Sequence, residues 1–314
     1  MSQRLAFLGT PAFAVPSLEA LAAAGHKIEA VFTQPDRPKG RGNLLTASPV
    51  KDAALRLQLP VHQPERIRHP EIVELLSSLQ LDAMVVVGYG QIIPQSIIDM
   101  VPLGIINVHA SLLPSYRGAA PIQWAIANGE ERTGVTTMRI NAGLDTGDML
   151  LHWETAIGAG ETASEVSIRL ADAGANLLLA TLRGLAEGTL QPQPQDNTRA
   201  TLAPILSKED GRIDWQRPAR LIYARFRGFY PWPGAYTSFR GQTLHLRAAR
   251  LSAGVTSAAP GTMIVDGRRL LVACGNGAML EILELQQEGR KRISAEAFLN
   301  GQRLLENERL GATS

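Results

Sequence analysis

Three polar residues near the middle of the chain, Asn107, His109 and Asp145, have side chains that suit acyl-transfer chemistry. Asn107 and His109 lie two residues apart in the apolar run "IINVHAS", so on a strand they would point to the same face. An amide and an imidazolium can both donate hydrogen bonds to a developing oxyanion. A carboxylate such as that of Asp145 can orient the imidazole or accept the proton that an attacking amine loses. Taken singly, each residue is more often a turn residue than a catalytic one.

The motifs of several other enzyme classes are absent from the sequence. It contains no G-x-G-x-x-G and no Walker phosphate loop, and Ser111 does not lie in G-x-S-x-G. The six histidines are scattered without H-E-x-x-H, and the single cysteine, Cys274, excludes a disulfide within the chain and a cysteine-rich metal cluster. We therefore expect no metal, and acyl transfer to an amine is the favoured chemistry.

An alternation of strand and helix patterns predicts the scaffold for these residues. Helical patterns separate four short β-rich runs: "RLAFLGT", "KIEAVFT", "DAMVVVGYG" and "GIINVHAS". This alternation predicts an α/β domain with a Rossmann-like, mostly parallel sheet covered by helices on both faces. Ligands of such sheets bind beyond the carboxyl ends of the strands, which is where the run with Asn107 and His109 ends. Asp145 lies between Gly143 and Gly147, in a tight loop after the later strand "GVTTMRI".

The second part of the chain has a different pattern. The stretch "TLQPQPQDN" alternates Pro and Gln, which predicts an extended linker because it cannot form a core. Beyond it, short β-rich runs separated by Gly-containing turns predict a smaller all-β domain, either a barrel or a sandwich. We therefore expect an α/β domain at residues 1–189, a linker at 190–206 and an all-β domain at 207–314.

Charge and hydropathy limit the partners of the protein. Residues 1–204 contain 15 Lys and Arg against 19 Asp and Glu, whereas residues 205–314 contain 16 against 10. A basic second half favours an acidic partner, although a basic surface without a partner has the same composition. The longest apolar runs fall short of a membrane span, so no membrane partner is expected. A single cysteine and a first segment without a long apolar core predict a cytoplasmic protein.

Longer sequence motifs point to a protein family, which single residues cannot do. The segments "NVHASLLPSYRGAAPIQWAI" and "GLDTGDML" closely resemble the folate-dependent formyltransferases. The segments "FTQPDRPKGRG", "SPVK", "SKEDGRIDW" and "YPWPGAYT" resemble the members of that family that act on methionyl initiator tRNA, and they occur in the same order. The resemblance covers nearly the full chain. It implies a formyltransferase fold at residues 1–189 and an OB-like, tRNA-binding barrel at 207–314.

The resemblance also implies substrates and residue roles. The formyl donor is expected to be 10-formyltetrahydrofolate, and the acceptor the α-amine of methionyl initiator tRNA, bound by a monomer. Asn107 and His109 are expected to stabilise the oxyanion, while Asp145 sets the charge state of His109 and assists proton loss from the amine. The expected folate contacts are Ser111, Leu112, Leu113 and Pro114, and the expected contacts with the tRNA acceptor end are Lys39 and Arg41.

Three positions depart from the family pattern, and two alternatives remain. "NLL" follows "GRG" where basic residues are frequent, which leaves Lys39 and Arg41 to provide more of the charge. Ile205 and Ser115 also stand where basic residues are frequent. The first alternative is a formyltransferase for another amine, such as a sugar nucleotide or a glycinamide. The second is an RNA-binding protein on a catalytically inactive scaffold.

An aromatic cluster in the second half has two interpretations. Its members are Phe226, Phe229, Tyr230 and Trp232. Such rings can stack on RNA bases, but packing inside the protein is the favoured interpretation.

Overall fold

The structure is a computed structural model that describes residues 2–39 and 44–311. The strands in chain order are β1 (Arg4–Gly9), β2 (Lys27–Phe32), β3 (Arg37–Lys39), β4 (Leu44–Thr46), β5 (Val61–His62), β6 (Ala83–Val87), β7 (Ile105–His109), β8 (Arg117–Gly118), β9 (Arg132–Arg139), β10 (Met149–Ala156), β11 (Leu202–Ala203), β12 (Ala235–Phe239), β13 (Gln242–Val255), β14 (Met263–Asp266), β15 (Arg269–Ala273), β16 (Ala278–Gln287) and β17 (Ile293–Ser294). The α-helices are α1 (Val15–Ala23), α2 (Pro49–Arg56), α3 (Pro70–Ser78), α4 (Gln95–Ile98), α5 (Pro121–Ala127), α6 (Ala163–Ala186), α7 (Ala219–Gly228) and α8 (Ala295–Gly301).

The chain divides into two compact units that interleave along the sequence. The first unit contains Met1–Pro121, Arg132–Ala156 and Glu165–Pro204, and the second contains Ile122–Glu131, Ile157–Ser164 and Ile205–Ser314. The sequence predicts two continuous domains instead. Two short segments of the expected α/β domain therefore pack with the second unit.

The first unit is built on a seven-stranded sheet in the order β10-β9-β7-β6-β1-β2-β5. The five strands from β7 to β5 are parallel to one another. β9 runs antiparallel to β7, and β10 runs antiparallel to β9. The prediction of a mostly parallel α/β sheet is confirmed, and β1, β2, β6 and β7 correspond to the four predicted β-rich runs.

Burial explains why the central strands are apolar along their whole length. Every residue of β6 and β7 is buried, as expected for parallel strands that are covered on both faces. Helix α6 passes close to this sheet at Gly174, where an added Cβ would lie 2.9 Å from Val108. Asn107 and His109 are therefore polar residues in a strand whose other members are Ile and Val. Burying polar groups costs free energy unless they are hydrogen-bonded, so their partners identify what they do.

The segment after β2 is more regular than the sequence predicts. Pro38 and the glycines around it predict an irregular loop, but β3 and β4 form an antiparallel ribbon in which Pro38 pairs with Leu45. Proline is tolerated because a two-stranded ribbon leaves one edge of each strand free. At the base of the ribbon, Lys51 Nζ lies 2.5 Å from Asp36 Oδ2, and the Gln63 amide donates to the other Asp36 oxygen at 2.7 Å.

Residues 190–204, which the sequence predicts as a linker, pack on the first unit. Gln193 and Met149 exchange two main-chain hydrogen bonds of 2.8 Å, and β11 pairs in parallel with β8. A Pro- and Gln-rich stretch cannot form a core, but its main-chain groups can still be satisfied by strand pairing. The sequence did not predict these contacts, and the segment also contains a short 3-10 helix at Asn197–Arg199.

The second unit contains an antiparallel sheet in the order β12-β13-β16-β15-β14, with β17 paired to β16. This confirms the predicted all-β domain; the OB-like barrel stays a prediction. Two helices accompany the sheet, α7 and α8, neither of which the sequence interpretation assigned. Phe239 and Phe298 pack edge-to-face in its core, with ring centroids 5.3 Å apart.

The aromatic cluster explains how Ile122–Glu131 joins the second unit. Phe229 is 1% exposed, and its ring packs edge-to-face on Trp124 at 5.3 Å. A Cβ on Gly228 would lie 2.6 Å from the main-chain oxygen of Gln123, so only glycine permits this approach of α7 to α5. Tyr230 and Trp232 are 47% and 55% exposed. Phe226 is half-buried and packs against the core of the second unit. The cluster therefore divides into two packing residues and two exposed rings.

Candidate active site

The carboxyl-terminal half of β7 presents two polar side chains in a buried setting. Asn107 is 8% exposed and His109 is 6% exposed. β7 has β6 on one side and β9 on the other, and Asn107 pairs with Val86 and Met138 in these neighbours. Side chains of residues two apart share a face of a strand, so the amide and the imidazole face the same region.

His109 is oriented by the main chain that follows β7. Its Nε2 atom lies 2.9 Å from the carbonyl oxygen of Tyr116. A carbonyl only accepts hydrogen bonds, so Nε2 is the protonated nitrogen in this contact. The other ring nitrogen, Nδ1, lies 3.6 Å from Asp145 Oδ2. Nδ1 is therefore the ring nitrogen that faces a carboxylate.

Asp145 reaches this position through a loop that turns back on itself. Because β9 is antiparallel to β7, its last residue, Arg139, pairs with Ile106 near the start of β7. The following loop must return along β7 to bring Asp145 beside His109. Asp145 has a φ of +50°, a left-handed conformation that is uncommon for a residue other than glycine. Its Oδ1 atom lies 3.5 Å from Asn107 Nδ2.

The strongest contact to the Asp145 carboxylate comes from the backbone. The Gly118 N–H donates to Asp145 Oδ2 at 2.8 Å. Gly118 has a φ of +122°, and an added Cβ would lie 2.7 Å from the carbonyl oxygen of Ala203 on β11. Both the conformation and the close approach require glycine. The sequence motif "YRG" contains this residue, but the motif did not reveal that its N–H binds Asp145.

The segment Ser111–Pro114 is fixed by a threonine on β9. Thr136 Oγ1 donates to the Ser111 carbonyl at 2.7 Å and accepts from the Leu113 N–H at 3.2 Å. The Ser111 hydroxyl donates to the Ser115 carbonyl at 2.6 Å. The segment follows His109 directly, with Leu113 buried and Leu112 and Pro114 half-buried. Thr136, buried within β9, could not have been selected from the sequence because nothing marks it among similar β-strand threonines.

One of the two predicted tRNA contacts belongs to the ribbon after β2. Lys39 ends β3, whereas Arg41 lies outside the described residues. The start of this segment is joined to neighbouring loops. The Gln34 N–H donates to Thr10 Oγ1 at 3.4 Å, and the Gln34 amide donates to the Tyr89 carbonyl at 3.1 Å. These contacts connect the chain after β1, β2 and β6 at the carboxyl ends of the parallel strands, the edge at which His109 ends β7.

Metal and thiol chemistry receive no support from the residues in place. Within residues 2–39 and 44–311, no group of three His, Cys, Asp or Glu is arranged to hold a metal ion. Burial raises the pKa of the Cys274 thiol to about 11, which keeps it protonated and unreactive. Over the same described residues, no helix is both long and apolar enough to cross a membrane.

The first unit is an α/β domain that gathers an amide, an imidazole and a carboxylate, those of Asn107, His109 and Asp145, at the carboxyl end of β7. The chain belongs to the formyl transferase family: residues 3–182 match the formyl transferase domain, and residues 205–303 match the formyl transferase C-terminal domain. Methionyl-tRNA formyltransferase of Solibacter usitatus is 65% identical over 98% of both chains. That of Koribacter versatilis is 56% identical over 99% of both chains.

A solved structure shares the fold at much lower identity. The N-formyltransferase of Helicobacter canadensis, in complex with folinic acid and dTDP-3-aminofucose, has a TM-score of 0.66 and 17% identity. The match covers 91% of this chain and all of that chain. The formyltransferase fold is therefore shared by proteins whose solved complexes contain a sugar nucleotide.

Proposed function

We propose that this protein transfers the formyl group of 10-formyltetrahydrofolate to the α-amine of methionyl initiator tRNA, giving N-formylmethionyl-tRNA for translation initiation. The observation that carries this proposal is the cluster of Asn107, His109 and Asp145, with Nδ1 of His109 3.6 Å from the carboxylate. The substrate assignment is supported by relatives that are 65% and 56% identical over nearly the whole chain and are named methionyl-tRNA formyltransferase.

The donor supplies an activated formyl group, and the residues that would hold it follow β7. Ser111, Leu112, Leu113 and Pro114 form the folate contact segment of this proposal. The hydrogen bonds of Thr136 to Ser111 and Leu113 fix the main chain of that segment. Preorganised contacts of this kind lower the entropy lost when a substrate is held beside the reacting groups.

Asn107 and His109 supply the hydrogen-bond donors. As an amine attacks the formyl carbon, negative charge develops on the formyl oxygen. The Asn107 amide and a protonated Nδ1 of His109 share one face of β7, so both can donate to that oxygen. Both groups are nearly excluded from water, which strengthens their interaction with the developing charge.

We assign Asp145 to proton transfer. Its carboxylate stabilises the imidazolium form of His109 across the 3.6 Å separation. The attacking amine must lose a proton, and the same carboxylate can accept it directly or through one water molecule. The Gly118 N–H fixes the orientation of the carboxylate through Oδ2, and the Asn107 amide donates a long hydrogen bond of 3.5 Å to Oδ1. Each oxygen keeps a second lone pair for this exchange.

The tRNA is assigned to the ribbon and to the second unit. Lys39 and Arg41 would contact phosphates at the acceptor end, because the ribbon begins at the edge of the sheet where β7 ends. The second unit contains 16 Lys and Arg against 13 Asp and Glu. This excess of basic residues is smaller than that of residues 205–314 alone, because the two added segments contain acidic residues only. The exposed rings of Tyr230 and Trp232 add surfaces on which bases of the tRNA can stack. This basic unit would hold the tRNA backbone.

We further propose that the enzyme acts as a monomer in the cytoplasm, where translation begins. A formyl-transfer assay with 10-formyltetrahydrofolate tests the main proposal. The acceptors are charged initiator tRNA, the same tRNA uncharged, an amino sugar nucleotide and glycinamide ribonucleotide. Formylation of charged initiator tRNA alone supports the proposal. Preferred formylation of a small amine would establish the first alternative, and tRNA binding without transfer to any acceptor would establish the second.

A further inference from the structure

One side chain of the predicted linker binds the loop of Asp145. Gln195 is half-buried, and its Nε2 atom donates to the carbonyl oxygen of Asp145 at 2.8 Å and to that of Gly147 at 2.7 Å. Its Oε1 atom accepts two hydrogen bonds from the Arg117 guanidinium, at 3.1 Å from Nε and 2.7 Å from Nη2. The Gln195 amide therefore donates to the loop through its nitrogen and accepts from a cation through its oxygen.

Arg117 is suited to hold Gln195 in place. It is 6% exposed, and its Nη2 atom also donates to Asn197 Oδ1 at 2.8 Å. A buried guanidinium needs such acceptors because its charge is costly to remove from water. The next residue, Gly118, donates its N–H to the Asp145 carboxylate. Arg117 and Gly118 thus connect to Asp145 twice, through Gln195 to its carbonyl and directly to its side chain.

The Asp145 loop requires this support. Its left-handed backbone conformation and its return along β7 are both unfavourable for an isolated loop. Gly147 is also confined, since an added Cβ would lie 1.8 Å from the carbonyl oxygen of Arg139. The two carbonyl groups that Gln195 binds lie at Asp145 and two residues beyond it. Fixing them fixes the backbone from which the carboxylate extends.

We infer that Gln195, held by Arg117, is a positioning residue for formyl transfer that fixes the Asp145 carboxylate beside His109. Gln195 thereby supports the active site although it lies in a segment that the sequence predicts as a linker. This inference rests on the role proposed for Asp145. A displacement of a reacting group by about 1 Å can lower turnover by about 100-fold, so the loss of Gln195 should affect kcat more than substrate binding.

The test compares Gln195→Met with Gln193→Met, a matched change of an exposed glutamine in the same segment. We expect Gln195→Met to lower single-turnover formyl transfer by about 10- to 100-fold with KM for both substrates within about twofold. Gln193→Met should leave both unchanged. In an Asp145→Asn background, Gln195→Met should cause no further loss, because residues that act through one another are not additive. Full additivity, or activity equal to that of Gln193→Met, would overturn the inference.

Gln195→Glu tests whether the loop depends on the N–H groups of the Gln195 amide. It keeps an acceptor for Arg117 but lacks the N–H groups that bind the loop, so it should fall as far as Gln195→Met. Retained activity in Gln195→Glu would contradict the inference. Amide hydrogen exchange over residues 141–149 gives a readout that does not depend on turnover. Exchange should accelerate in both Gln195 variants and not in Gln193→Met. Unchanged exchange in the Gln195 variants would overturn the inference. This result holds even if the wild-type protein formylates no acceptor tested, so it is independent of the proposed function.

Discussion

Two shielded carboxylates, one in each unit, are bonded in opposite ways. Glu281 on β16 is 4% exposed and receives hydrogen bonds from two arginines on neighbouring strands. Arg250 contacts both of its oxygens at 2.9 Å, and Arg269 contacts one at 2.8 Å. Among the described residues, the Asp145 carboxylate receives a hydrogen bond of 2.8 Å from a main-chain N–H and a long one of 3.5 Å from the Asn107 amide, and His109 Nδ1 lies 3.6 Å away.

This difference is the one expected between a structural carboxylate and the catalytic carboxylate that we propose. The hydrogen bonds of Arg269 and then Arg250 hold the pKa of Glu281 at about 2, so it stays ionised and cannot exchange protons near neutral pH. The sparse bonding of Asp145 leaves lone pairs for an imidazole and for an attacking amine. Burial of a carboxylate therefore does not by itself indicate catalysis; the number and kind of its donors do.

The strongest test of this comparison removes the chemical groups. Asn107→Ala and His109→Ala should each lower turnover by about 10²–10³, because each removes an oxyanion donor. Asp145→Asn should lower it as severely while folate binding survives, since the shape remains and the charge is lost. Steady-state kinetics, folate binding and thermal unfolding measure these effects. Loss of folding in Asp145→Asn would assign the residue to the turn instead.

A smaller effect is expected on the predicted tRNA contact. Arg41→Ala should reduce kcat/KM for charged tRNA by about ten-fold, through one lost phosphate contact and poorer positioning. Its salt dependence should become shallower by about one contact. Arg183→Ala, which removes an exposed cation from α6, is the control and should change neither quantity. Equal kinetics of the two variants at low and high salt would remove Arg41 from the tRNA site.

The smallest effect is expected at the structural carboxylate. Glu281→Gln should lower the free energy of unfolding by about 1 kcal/mol at pH 7, a modest loss because the two arginines are partly exposed to solvent. The folded-state pKa of Glu281 is depressed, so its contribution is present above its unfolded pKa, near 4.5, and is lost as pH falls toward 2. Denaturation of both proteins from pH 7 to pH 2 should show the difference disappear in that range. Formyl transfer should be unchanged, and a large loss of turnover would contradict the structural role.

The local sequence was sufficient to predict the central strands and to identify the polar residues that one of them carries. The β-rich runs that became β1, β2, β6 and β7 were predictable because strand formation depends on neighbouring residues and their alternation. Asn107 and His109 could be placed on one face of β7 for the same reason. The ribbon at Pro38 and the helices α7 and α8 were missed, since their short patterns are stabilised mainly by tertiary packing.

The sequence by itself determined an α/β scaffold, a smaller β domain and a strand ending in an amide and an imidazole. Only the tertiary structure decided that Asp145 returns along β7, that Gly118 donates to its carboxylate, and that Gln195 binds the loop from 50 residues further along the chain. These contacts join residues far apart in sequence, and no local periodicity encodes them. They exist because the antiparallel direction of β9, the close approach of β11 to Gly118 and the charge of buried Arg117 bring these polar groups within hydrogen-bond distance of one another.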